Sequence, residues 1–540
     1  MSPNHPPAPP VDVSAPADLP FPQPPANAIE LAAHYRAAGH WRGEPLGRLL
    51  REAAVAHPDR VALVDGERRW SYARLDGRVD RMAAGLAALG VTAGDRVVVQ
   101  LPNVAAFFEV LFALFRLGAL PVLAQPEHRD TEVRFLCAGT EARVLVVPDL
   151  LAGYDHRALA SRLRPELPSL RAVLVAGEPG PHTALETVPR DPVRAAPEPD
   201  PAGPALLRLA GPTGGLPQLV APGHDALGYT LRAAARVAGV TEDTVQLCAL
   251  PLARTLALGA PGALGTLAAG GRVVLSPSPA PDVAFPLIAA ERVTHTALVP
   301  PLALGWIDAA AHSAHDLSSL TLLQVGGAPL DERAARRVRP ALGCALQQVF
   351  CTAEGLVTAT RLDDPVSTVV GTCGRPLSPA DELRVVDETG TEVPPGTPGR
   401  LLARGPGTVP GYWRAPEQDR FTFTEDGFHR TGELVRIAEG GELTMVGRTG
   451  RQINRGGQRV AAEEVENHLL AHPAVREARV FGLPDGRLGE RVGAHLIARA
   501  GAEPPSARAV AAFLRERGLA GFKLPDLVEF VAALPRAAAG

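Results

Sequence analysis

The 540-residue chain is nearly without lysine: of its 54 basic residues only Lys523 is one, and the others are arginine. No second position can supply a compact ammonium charge, so nearly every cation here is a planar guanidinium. Cysteine is sparse too. Cys137, Cys248, Cys344, Cys351 and Cys373 lack metal-ligand or disulfide spacing, which argues against a zinc site or a disulfide framework and fits a reduced, cytoplasmic setting. An excess of one charge sign is missing: 54 basic against 58 acidic residues, interspersed, leave a net −4 and no nucleic-acid footprint. The chain does not open on a basic segment followed by an apolar core, so no secretion signal is read. The most apolar window, residues 105–124, is broken by Glu109, Arg116, Gly118 and Pro121. It reads as a buried helix capped by Asn103 and then a strand, with no membrane span. No internal repeat is found.

What is present is ordinary globular composition, 46% apolar and 21% charged, in a chain too long for one core. Residues 1–28 hold ten prolines and read as a disordered leader. From residue 29 to about 148, amphipathic segments (49–56, 75–89) alternate with apolar runs (97–100, 121–124, 144–147), the mark of strand-helix units on a sheet. A Pro-rich linker follows at 178–204, and a second strand-helix series spans 247–364. Residues 368–446 turn to short strands with Gly and Pro turns, a small β-rich subdomain. The expected class is α/β. A large N-terminal domain (29–447) of stacked sheets and helices is joined by a hinge at 448–451 to a small α+β lid (452–540), whose helix 462–470 has acidic residues in its first turn.

The chain is organised around Leu346-Gln347-Gln348-Val349-Phe350-Cys351-Thr352-Ala353-Glu354-Gly355-Leu356-Val357. Gln347 to Phe350 read as a short buried strand, and Glu354 then stands where an open parallel sheet places its ligand crevice. A carboxylate there can hold a divalent metal against phosphate oxygens. A glutamate opening the next helix fits the spacing equally well.

The run from Gln347 to Asp364 resembles the signature of the adenylate-forming superfamily, and within it most closely the 2,3-dihydroxybenzoate-AMP ligases. Residues 35–41, 322–328, 452–466 and 522–525 resemble the same group in the same order, so the likeness covers nearly the whole chain. It implies activation of a small aromatic carboxylic acid with ATP and Mg²⁺, then transfer to a phosphopantetheine thiol of an aryl-carrier protein or CoA, in siderophore or other secondary metabolism. By the same resemblance Glu354 would bind Mg²⁺, and Gly326, Gly327, Ala328 and Phe350 would line the adenine and acyl sites. Glu433 and Arg448 would reach the ribose, and Val357 would wall the aryl pocket. For Glu433 and Arg448 a charge pair beside a turn is the plain alternative; for Val357 it is core packing.

Several positions depart from the pattern. The loop from Leu209 to Val220 keeps Gly211, Thr213, Gly215 and Pro217, but has Ala210, Pro212, Gly214, Leu216 and Gln218 where hydroxyls, a glycine and a lysine are expected. Pro212 removes a donor, so a weak hold on triphosphate is expected. Arg254, Thr255 and Leu256 replace a His-Asn-Tyr run that would bond a ring hydroxyl. Selection of a catechol should therefore fade, while Arg254 is available to a substrate carboxylate. Glu433 stands for an aspartate and Arg451 for the hinge aspartate. The C-terminal Leu534-Pro535-Arg536 run reaches Gly540 just where a catalytic Gly-Lys would begin, and Lys523 is not its match. Two readings follow: an aryl-acid-AMP ligase, or a catalytically impaired relative serving as a carrier-protein-binding scaffold or partner subunit. If four such losses each cost ~10-fold, about 1.4 kcal/mol, and added, the rate would fall by about four decades.

Overall fold

Short aliphatic runs form strands that are buried on both faces, as parallel sheets covered by helices require. The computed structural model describes residues 28–191, 198–210, 218–449, 452–499, 502–531 and 534. The leader before residue 28, the loop positions Gly211, Thr213 and Gly215, hinge residues 450–451 and the last six residues lie outside it.

A seven-stranded sheet runs in the order Gln218–Val220, Leu207–Ala210, Leu120–Leu123, Arg96–Val99, Val144–Pro148, Ala172–Ala176, Thr183–Ala184. It is parallel except for its first strand. The segment expected to be only a linker thus supplies an edge strand, after which the chain returns to set Leu207 opposite Val122.

The second sheet has nine strands: Arg375–Pro376, Val357–Ala359, Ala345–Cys351, Leu322–Gly326, His295–Leu298, Val245–Cys248, Arg272–Leu275, Val61–Asp65 and Arg68–Ser71. Its six middle strands are parallel and its edges antiparallel. Buried glutamines fix the register. Gln324 donates to Gln347 Oε1 at 2.8 Å, Gln347 to the Thr360 carbonyl at 2.8 Å, and Gln348 to the Val369 carbonyl at 2.8 Å. Each amide would be costly to bury unpaired, so these bonds hold the Gln347–Phe350 stretch in one alignment.

Helix Ala105–Leu117 is buried along most of its length and shares one core with strands of both sheets. Burying each of its phenylalanines contributes roughly 1.5–3 kcal/mol. Its Glu109 is neutralised by Arg78, whose Nε donates at 2.6 Å. Asn103 does not cap this helix, as its spacing suggested; Val104 occupies that place without a side-chain bond. Asn103 instead donates to the carbonyls of Cys248, Leu250 and Ser276 at 2.9–3.2 Å and accepts from Leu252 N at 3.0 Å. It stitches the loop after one sheet to the strand ends of the other.

The β-rich region begins later than its turn residues suggested. Residues 366–371 are helical and Arg375–Pro376 joins the nine-stranded sheet, so the separate antiparallel sheet comprises Glu382–Val386, Gly399–Arg404, His429–Ile437 and Leu443–Arg448. Beyond it, strands Gln452–Arg455, Gln458–Ala461, Val475–Asp485, Gly489–Ala498 and Leu527–Phe530 pack with helices Ala462–Leu470 and Ala507–Glu516 around a core of their own. Among the described residues no helix is long and apolar enough to cross a membrane.

Candidate active site

Both parallel sheets end their strands toward one cavity of about 420 Å³. Leu123 and Gln125 follow one strand of the seven-stranded sheet; Arg254, Val299, Gly326 and Phe350 stand at or beyond strand ends of the nine-stranded one. Met445 and Arg448 come from the antiparallel sheet, and Gly457, Arg459, Glu464 and Lys523 close the space from the small lobe. A crevice at the carboxyl edge of parallel strands is where α/β sheets bind ligands.

The strand Leu322–Gly326 needs its glycines. A Cβ on Gly326 would lie 2.7 Å from the Val349 carbonyl, and Gly327 adopts φ +84° with its carbonyl accepting from Asn454 Nδ2 at 2.8 Å. Gly326, Gly327 and Ala328 line the cavity, as do Phe350, Arg254 and Thr255. Val357 does not. It packs with Leu256, Val299 and Val349 in the layer behind the wall. Leu256 is buried in the short helix Thr255–Gly259.

Glu354 opens no helix; it sits in the tight connection between antiparallel strands Ala345–Cys351 and Val357–Ala359. Arg208 donates to the Ala353 carbonyl at 2.7 Å and Val409 N to the Glu354 carbonyl at 2.8 Å, so the connection is locked from both sides. The Glu354 side chain is 2% exposed, accepts from Tyr412 Oη at 3.0 Å and lies 3.8 Å from His429 Nε2. Burial would push its carboxyl up, but His429, Arg459 and the Tyr412 hydrogen bond outweigh that and hold it below the usual range. Glu354 thus keeps a negative charge beside the cavity edge: Oε1 is engaged by Tyr412, and the neighbouring Ala353 lines the cavity. No group of three or more metal-ligating side chains occurs among the described residues.

Glu433 and Arg448 face each other across adjacent strands, with Arg448 Nε donating to Glu433 Oε2 at 2.8 Å and Arg459 Nη2 3.6 Å from Oε1. Glu433 is buried rather than solvated; a second cleft of about 700 Å³ opens beside the pair, and Arg448 lines both spaces.

Lys523, set aside on sequence grounds, proves to be on the cavity wall. Its Nζ lies 2.7 Å from Glu132 Oε1 of the large lobe and 2.7 Å from Glu464 Oε1 of the small one. Burial would drive the ammonium down, but the two carboxylates hold it above its ordinary value. Gln458 donating to Gln125 at 3.0 Å and Thr131 N donating to the Gly518 carbonyl at 3.3 Å extend the junction. Arg208, Arg459 and His128 are further cavity residues that sequence reading missed. The one available signal was that the chain's sole lysine falls in a segment resembling the family's.

Two lobes closing a cavity at the carboxyl ends of parallel strands, lined by arginines and by the glycine-rich end of Leu322–Gly326, form the kind of site that α/β enzymes use for ligands. The family model "AMP-binding enzyme" matches residues 50–413 and "AMP-binding enzyme C-terminal domain" matches 464–540. The chain belongs to the AMP-binding enzyme family. It is 52% identical to a 2,3-dihydroxybenzoate-AMP ligase of Bacillus subtilis (strain 168), covering 95% of this chain and 94% of that protein. It is 43% identical to the salicyl-AMP ligase / salicyl-S-ArCP synthetase of Mycobacterium tuberculosis, over 96% and 91%. Among solved structures, apo MbtA of Mycobacterium smegmatis superposes with a TM-score of 0.75 at 43% identity, covering 95% of each chain.

Proposed function

We propose that this chain activates a small aromatic carboxylic acid with ATP. The acid's carboxylate oxygen attacks the α-phosphorus, the new carboxyl–phosphate bond forms, and pyrophosphate leaves with the bonding pair. The thiol sulfur of a phosphopantetheine arm on an aryl-carrier protein or CoA then attacks the carbonyl carbon, so the acyl group passes to sulfur as the carboxyl–phosphate bond breaks and AMP leaves. The observation that carries this reading is the 420 Å³ cavity walled by both parallel sheets and the small lobe.

Gly326, Gly327 and Ala328 offer flat backbone to the adenine and the acid, with Phe350 beside them. Arg448 and Glu433 are proposed for the ribose, and Arg254 and Thr255 for the acid. Gly211, Thr213 and Gly215 are proposed for the phosphates. Glu354 is proposed to hold Mg²⁺ against the triphosphate, from the connection that also presents Ala353. The large domain is proposed as 29–447, the hinge as 448–451 and the lid as 452–540, acting in the cytoplasm and in siderophore or related secondary metabolism. The names of the B. subtilis and M. tuberculosis relatives support the aryl acid and the carrier protein. The scaffold alternative draws on residue changes alone, and likeness over 95% of the chain favours catalysis.

Pyrophosphate exchange into ATP tests the reading. Exchange that depends on a benzoic, hydroxybenzoic or aminobenzoic acid, and falls at least a hundredfold in Glu354→Ala, is expected. No exchange with any acid, together with no ATP binding by calorimetry, would overturn it.

A further inference from the structure

Arg254 caps the start of the short helix Thr255–Gly259 on the cavity wall and is half-buried, with its Nε enclosed. Its Nε has no partner, and its hydrogen bonding amounts to one long 3.5 Å contact from Nη1 to the Gly457 carbonyl. Among the described residues no carboxylate oxygen lies within 4.0 Å of it. The carboxylates that face it are otherwise placed: Glu127 stays beyond pairing distance with its own Oε2 unpartnered, and Glu132 is taken by Lys523. A guanidinium keeps its charge throughout, and an enclosed N–H donor left without a partner is costly. The site is thus poised for an anion that the protein does not itself supply. Leu250, Ala253, Leu256 and Val299 line the space around it and offer nothing but apolar surface.

We propose that the acid taken by this cavity carries a second anionic group, in the simplest case a ring carboxylate, and that Arg254 is the residue that selects it. The inference rests on the carboxylic-acid reading above. A planar guanidinium presents paired N–H donors that match a carboxylate, and with no competing side chain its preference would be strong. The reacting carboxylate is the poorer candidate, because a guanidinium gripping it would stabilise the nucleophile in the ground state and slow its attack. Phosphate is also less well served, since Arg448 and Arg459 stand by Glu433 at the other wall.

Calorimetry on the full chain with benzoate, 2-hydroxybenzoate and the three benzenedicarboxylates, beside pyrophosphate exchange with the same acids, tests the proposal. At least one diacid should bind ten times more tightly than benzoate. In Arg254→Met the diacid-to-benzoate ratio should fall at least tenfold in both Kd and KM, and Arg254→Lys should retain part of the preference. The proposal is overturned if no diacid outbinds benzoate, or if Arg254→Met weakens mono- and diacids by the same factor, which would give the guanidinium to the reacting carboxylate or the nucleotide. Diacid binding that is lost in Arg254→Met, with no exchange for any acid, would uphold the anion site and sink the activation reading, so the two fail separately.

Discussion

Lys523 and Arg254 are cations on the wall of one cavity, the first buried and the second half-buried, and they are housed in opposite ways. Lys523 has a carboxylate from each lobe at 2.7 Å, whereas Arg254 has a single 3.5 Å carbonyl contact. A cation with its charge fully answered by the protein serves the architecture, here by joining two lobes. A cation left unanswered is held in readiness for something that arrives. The contrast separates, within a few ångströms of the same cavity, a structural charge from a recognition charge.

The contrast can be broken first at the paired cation. Lys523→Met would leave Glu132 and Glu464 buried without their counter-charge, and a loss of about 3–5 kcal/mol is expected, read by chemical denaturation at pH 7. A loss under 1 kcal/mol would mean that the pair is not structural. Next comes acid. His128 lies on the same wall in the field of both cations, and burial pushes its imidazole down to about 4 while its Nδ1 accepts from Gln125 N at 3.2 Å. Folding favours the neutral ring, so its stabilisation is complete above about 6.5 and is lost as pH falls from there through 4, about 3 kcal/mol at most. Thermal melts should show His128→Gln less acid-sensitive than the parent across that window. Tyr412→Phe, which deprives the buried Glu354 of its 3.0 Å hydrogen bond, should cost about 1.5–3 kcal/mol. Smallest is Arg254→Met, expected to leave the unliganded protein unchanged or more stable by up to about 1 kcal/mol in the same denaturation assay, the reverse of Lys523→Met.

Much of the fold was legible because parallel strands buried on both faces announce themselves as unbroken aliphatic runs. The segments expected near 97–100, 121–124 and 144–147 are strands within a residue or two, and the helix 462–470 has the limits its acidic first turn suggested. What failed was long-range. Asn103 has the right chemistry and place for a cap, yet its partners lie 145–173 residues away, and no local pattern reports them. Glu354 sits after a strand in a way that suits a helix start, but an antiparallel return strand pairs instead and turns the carboxylate to Tyr412. The glycine slot at Gly326 and Gly327 was readable, since close backbone approach leaves a residue-type signature. Lys523 was not, because its role depends on Glu132 in another lobe.

Asn103 also governs how the molecule can breathe. With its amide bridging four backbone groups at and just beyond strand ends of the nine-stranded sheet, the two large sheets are set at one spacing. Swapping side chains that line the pocket, such as Arg254 or Thr255, should then reshape it without changing the distance between the two sheets.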